Sequence, residues 1–286
     1  MTCFSSFLSG RLARAGVAGL LALACGLRGP MAFAQNEASG EIVPPQRIDI
    51  SSLPAKIVDD VVVPVPSEVF GVLDKLGAPN WHSVLRKIEN NGFGERPQIA
   101  LFLGCVIAEG FIAVEAQEPE EVKKIGREVL NLAGAIGVRK SVISRTNSII
   151  EAADKKDWPR IRVELDGAAQ DVKQAMIELK DEQLAQLVSL GGWLRGTEAV
   201  TDVVGKNYTK DGAELLHQPV LLDYFERQID GMSPRLKGNR LVKRVRARLA
   251  DIRPLIEKPN SVTTENLNQI NAITRDLVKA ISAQDS

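Results

Sequence analysis

The chain has 286 residues, 36 basic and 36 acidic, with 44% hydrophobic and 5% aromatic content. A neutral balance argues against whole-domain nucleic-acid binding, which needs a strongly basic surface. Three cysteines and two histidines leave little material for a disulfide framework or a zinc site.

Residues 1–34 predict a cleaved secretory signal peptide. Arg11 and Arg14 supply a positive start, Ala15 to Leu27 is uncharged and apolar, and Ala32-Phe33-Ala34 is a small-x-small cleavage site before Gln35. Other readings fit less well. Ala22-Leu23-Ala24-Cys25 has its leucine one place out of register for a lipobox, and Arg11 and Arg14 are not adjacent, as a twin-arginine route requires. The apolar run is shorter than the ~20 residues of an uncleaved anchor. Cleavage removes Cys3 and Cys25, leaving Cys105 alone and 33 basic against 36 acidic residues. The expected location is periplasmic or extracellular, with no membrane span left after cleavage and with packing alone supplying stability.

Residues 35–66 predict a proline-rich extended tether, since Pro44, Pro45, Pro54, Pro64 and Pro66 remove backbone donors and keep the chain extended. Val61-Val62-Val63 reads as a short extended stretch against the folded body. Residues 67–286 predict a single helical domain. Ser67 caps a helix with Val69, Phe70, Leu73 and Leu76 on one face and Gly77 at its stop. Asn80 caps a second, with Trp81, Val84, Leu85 and Ile88 at helical spacing, ended by Asn90-Asn91-Gly92. Pro97 opens a longer helix to about Gln117. Pro119 opens another that stops at Gly137, and Val142 to Ala153 marks the next. Pro159 starts a helix carrying Ile161, Leu165, Val172, Met176 and Leu179, and Asp181 caps one running to about Val204. Two short helices follow, near Asp211–His217 and Pro219–Asp230. A basic helix with Leu241, Val242, Val245, Leu249 and Ile252 bends or stops near Pro254, and a last helix carries Leu267, Ile270, Leu277 and Ile281. The fold class is therefore all-α: about ten amphipathic helices as antiparallel hairpins in a bundle or short superhelix.

An internal duplication is a candidate. Trp81, Val84, Ile88, Glu89 and Trp158, Ile161, Leu165, Asp166 share a spacing, and Leu103-Gly104 with Glu109-Gly110 parallels Leu190-Gly191 with Arg195-Gly196. Shared helical periodicity produces the same pattern without common descent, and the small and aromatic positions do not fit tetratricopeptide units. Gly104 and Ala108, like Gly192 and Gly196, are four apart. Such stripes let another helix approach, at a propensity cost of about 1 kcal/mol per glycine. The 97–117 and 181–204 helices are thus expected at the centre.

Glu109 is the only charge between Ile99 and Val114. A buried carboxylate must be paired or neutralised, and the parallel with Arg195 predicts that these two pair across the glycine-containing helices. Such a pair is most simply architectural. As a polar pocket inside an apolar shell it would make Glu109, Trp193 and Arg195 ligand-binding residues. Residues 235–258 hold nine basic and two acidic residues. Arg240, Lys243, Arg244 and Arg248 there are candidate contacts for an anionic envelope component. The alternative is that the helix docks on the protein's own acidic surface. His82 and His217 show no ligand spacing, Cys105 reads as a buried thiol, and no nucleophile elbow, P-loop or dinucleotide fingerprint is present. The expectation is an exported, non-catalytic binding or scaffold protein of the cell envelope, with no catalytic residue, cofactor or metal, and with an envelope protein or anionic component as partner. The alternatives are a small-ligand binder or enzyme with a pocket at Glu109 and Arg195, and an anionic-surface binder through the basic helix.

Overall fold

The apolar periodicity becomes ten α-helices in the computed structural model, which describes residues 55–58, 61–64, 79–88, 94–259 and 261–283. The expected signal at 1–34, most of the tether and the helix expected at 67–76 lie outside these residues. The helices are α1 (Arg96–Glu115), α2 (Pro119–Ala135), α3 (Arg139–Asp154), α4 (Trp158–Glu178), α5 (Glu182–Lys206), α6 (Lys210–Glu214), α7 (Pro219–Asp230), α8 (Pro234–Gly238), α9 (Arg240–Ile256) and α10 (Thr264–Ser282). The fold is all-α, with one small addition. Ala55–Val58 (β1) and Val61–Pro64 (β2) pair antiparallel with Ala55 opposite Pro64, and β2 runs beside α7. The extended stretch expected at Val61–Val63 is thus half of a hairpin.

The central pair is α1 and α5, which share the most extensive helix contact. In α1 every residue except Arg96, Phe102 and Glu115 is buried. An all-round apolar helix can exist in water only at the core of a fold. Each fully buried Leu or Phe there, such as Leu101, Leu103 and Phe111, contributes roughly 1.5–3 kcal/mol. Helices α2, α3 and α4 pack in succession from α1 round to α5, while α10 packs on α5 and α1, α9 on α10, and α7 on α9 and α5.

Glycine sets how closely the two central helices meet. A Cβ on Gly104 would lie 1.9 Å from the Val188 carbonyl oxygen, and one on Gly191 would lie 1.9 Å from that of Leu101. The Cys105 thiol donates to the Gly191 carbonyl across the same contact at 3.3 Å. The expected stripe is corrected in detail. Gly191 makes the close approach, whereas a Cβ on Gly192 would meet only ordinary contact at 3.5 Å and one on Gly196 would meet nothing within 4 Å.

The first five helices are joined by four corners of one design. Gln117, Gly137, Lys156 and Lys180 have φ of 55°, 90°, 52° and 58°. At each corner that residue's N–H donates to a carbonyl three residues back, and the next N–H donates to one five back, as in Glu118 to Ala113 and Asp181 to Met176. This is the Schellman closure, which satisfies the last carbonyls of a helix and reverses the chain within three residues. Gly137 was legible as a stop. The other three corners hold side chains in the left-handed region, which costs about 1–2 kcal/mol each for a non-glycine residue.

Two expected caps differ. Asp181 sits before α5, but its carboxylate accepts from Arg96 at 2.8 Å rather than from the helix. Asn80 makes no side-chain cap, and Trp81 opens a single 3₁₀ turn, Trp81–Ser83, instead of a helix through Ile88. Trp158, the counterpart in the candidate duplication, opens the 21-residue α4. The two tryptophan segments therefore share a sequence spacing without sharing a local structure.

Candidate functional site

The lone charge of α1 determines what surrounds it. Glu109 Oε2 accepts from Arg195 Nε of α5 at 2.6 Å, and the two side chains are 4% and 1% exposed. The expected pairing is present, across the central helices. The remaining groups of the pair reach residues 84–86: Glu109 Oε1 accepts from the Arg86 backbone N–H at 2.6 Å, and Arg195 Nη2 donates to the Val84 carbonyl at 2.7 Å. This is why residues 84–88 are not helical. Their backbone groups bond the buried pair, so a tertiary contact overrides a locally helical pattern. Trp81 and Val84 are buried beside it and anchor the segment as a strap over α1 and α5.

Glu198, one turn beyond Arg195, is fully buried and completes the network. It is paired with Arg86, lies 3.5 Å from Arg195 Nη1 and 3.5 Å from Arg275 Nε of α10. Asn271 of α10 donates to Thr201 Oγ1 at 2.8 Å and to Asp202 at 3.0 Å, and Arg275 reaches Asp202 at 2.7 Å. Burial pushes the Glu198 carboxyl above its ordinary range, although the charges of Arg195, Arg86 and Arg275 act the other way. Burial alone would lower the Arg195 guanidinium. The charge and hydrogen bond of Glu109, with the charge of Glu198, outweigh this and hold it above its usual value. The Cys105 thiol is pushed up to about 12 by burial, so it stays protonated and unreactive at neutral pH.

A cleft of about 140 Å³ opens beside this network, between the strap, α1 and α10. Ile88, Phe102, Val106 and Val278 form its apolar wall, Cys105, Glu109 and Arg195 its inner end, and Arg86, Lys87 and Ser282 its remaining lining.

Trp193 is not part of this site. Its Nε1 donates to Gln218 at 3.1 Å and its ring lies 5.5 Å from that of Phe225. Residues two positions apart in a helix are about 200° apart around the axis, so Trp193 and Arg195 point to opposite sides of α5, and the grouping with Glu109 is corrected. In the basic helix α9, Arg244 forms a two-fold bond with Asp276 at 2.8 Å, and Arg248 pairs with Asp251 at 3.0 Å. Arg246 pairs with Glu226 and Asp230, and Arg253 with Asp223 and Glu226. Arg244, Arg246 and Arg253 dock the helix on acids of α7 and α10, Arg248 pairs within α9, and Arg240 and Lys243 are exposed. The two histidines lie apart in role: His82 donates to Glu118 at 3.0 Å, and His217 Nδ1 bonds the Ile256 carbonyl at 2.7 Å. Among the described residues no group of three or more His, Cys, Asp and Glu could hold a metal ion.

Sequence reasoning missed Arg86, Lys87 and Glu198. Glu198 had a usable signal, since it stands one turn from Arg195 on a helix whose neighbours Leu194, Ala199 and Val200 are apolar. Arg86 and Lys87 had none, because their place depends on the strap leaving the helical path. Comparison with protein-family models, curated proteins and solved structures finds no match to this chain.

Proposed function

We propose that the protein is an exported, non-catalytic helical binding protein of the cell envelope. The observation that carries this reading is the buried network. Glu109 and Glu198 are each engaged by arginines, the thiol at Cys105 is protonated, and the strap is tied into the same bonds. Acid–base or nucleophilic work needs a group free to change its protonation or partner, whereas this arrangement suits holding a fixed shape. Export rests on the charge, apolar run and small-residue site of residues 1–34. The experiment is expression in a bacterial host, cell fractionation and mass analysis of the protein. The expected product is periplasmic or secreted and begins at Gln35; a cytoplasmic protein with an intact N-terminus overturns the export reading.

A second reading is favoured by the cleft. A purely supporting ion pair requires no adjoining space of about 140 Å³, so the binding role can centre on a small molecule held beside Glu109 and Arg195. The basic helix supports an anionic-surface role less well, because Arg244, Arg246, Arg248 and Arg253 are engaged within the chain.

A further inference from the structure

We infer that the cleft under the strap binds a small monoanion with an apolar body about the size of a benzene ring. The inference rests on the small-ligand reading of the cleft and adds the chemical class of its occupant.

Size comes first. The cleft measures about 140 Å³, and an apolar protein cavity of ~150 Å³ accommodates benzene. Its wall of Ile88, Phe102, Val106 and Val278 offers an aromatic or branched aliphatic body nonpolar contact on strap, α1 and α10 together. A peptide or sugar of several units exceeds this space.

Charge decides the sign. Within the cleft and the groups bonded to it, the charges of Glu109, Glu198 and Asp202 are matched by those of Arg195, Arg86 and Arg275. Lys87 adds a further positive charge to the lining, is exposed, and has no acidic partner among the described residues. A cation entering would meet the Lys87 ammonium, whereas an anion would be held by it. The inner end also favours an acceptor. A guanidinium carries five N–H donors, and Arg195 uses one on each of Glu109, Glu198 and Val84. A carboxylate can take further donors from Arg195 or from Lys87, and a charge-assisted bond is about twice as strong as a neutral one. A neutral body of the same shape gains the apolar contact alone.

The test uses the full-length protein and benzoate, with benzyl alcohol as the uncharged counterpart. Binding is followed by calorimetry and by backbone amide chemical shifts. Benzoate is expected to bind one to one with Kd of about 1 mM or tighter, shifting the amides of Lys87, Phe102, Val106 and Ser282. Benzyl alcohol is expected to bind about tenfold more weakly. Lys87→Glu should weaken benzoate about tenfold or more and leave benzyl alcohol unchanged, while Lys87→Arg retains benzoate binding. Ser282→Trp, near the end of the last helix, should remove the shifts at Phe102 and Val106 while the melting temperature stays close to that of the parent. If benzyl alcohol binds at the same amides as tightly as benzoate, and Lys87→Glu changes neither, the cleft remains a ligand site but the anionic class is wrong. No shift at these amides with either compound up to about 10 mM overturns both the anionic class and the small-ligand reading.

Discussion

Arg195 Nε and Glu109 Oε2 stand 2.6 Å apart between the two central helices, and both side chains are almost wholly buried. Removing one partner of such a pair leaves a buried charge without its counter-ion. Arg195→Met is expected to destabilise the fold by about 3–5 kcal/mol, because it leaves Glu109 without its counter-ion, whereas Glu198 keeps Arg86. Glu109→Gln keeps shape and some hydrogen bonding and should cost less. Urea unfolding of the two single variants and the double variant measures the coupling. Additive losses would show that the pair contributes no interaction of its own.

Gly191, Gly192 and Gly196 of α5 should separate by their surroundings. Gly191→Ala, with its Cβ 1.9 Å from a backbone oxygen, must push the central helices apart, with an expected loss of about 3 kcal/mol or more and a lowered midpoint of unfolding. Gly196→Ala meets nothing within 4 Å on a helix and should stabilise by about 0.5–1 kcal/mol. Gly192→Ala falls between. Equal effects at all three would mean that the α1–α5 approach is not set by these glycines.

The corners offer a stabilising change. Lys156 and Lys180 hold left-handed backbone at φ of 52° and 58°, where glycine is free of the Cβ penalty. Lys156→Gly and Lys180→Gly should each raise stability by about 0.5–1 kcal/mol, less than the full left-handed cost because glycine also loosens the unfolded chain. Gly137→Ala should lower stability by about 1 kcal/mol. Thermal unfolding with calorimetry reads all three.

Glu198 gives the fold a pH dependence opposite to that of an ordinary salt-bridged acid. Burial raises its carboxyl above the unfolded value of 4.5, so the folded state holds this proton more tightly than the unfolded state does. Between the unfolded value and the raised folded value, stability falls as pH rises. The advantage is fully present below 4.5 and is lost once pH passes the folded value. Asp230, lowered by its hydrogen bond to Arg246, works the other way near its own range, and its exposure keeps that effect small. Glu198→Gln should flatten the decline in urea midpoint as pH rises above 4.5; an unchanged slope would assign it to other groups.

Local signals carried the helix pattern and one end of the network. Glu109 stood out because a charge amid apolar residues has to find a partner, and Gly137 because a left-handed stop favours glycine. The strap was illegible because Trp81, Val84, Leu85 and Ile88 are spaced as a helix, and only the buried pair takes their backbone bonds away. Trp193 and Arg195 are neighbours in sequence but not in space, since two steps along a helix turn a side chain to the far side. The stops at Gln117, Lys156 and Lys180 carried no glycine to announce them, since closure of the hairpins imposes that backbone on whatever residue occupies the corner.

Burial of α1 also orders the assembly of the chain. Its strap precedes it and α2 follows at once, but α5 begins at Glu182 and α10 at Thr264. A growing chain therefore carries an apolar rod that stays partly uncovered through most of its synthesis. The α2–α4 hairpins depend on near neighbours and can collapse early, whereas closure over α1 waits for distant sequence and should be the slow step. Until that closure, Glu109 is the one charge between Ile99 and Val114 that resists partition of this stretch into lipid or into aggregates.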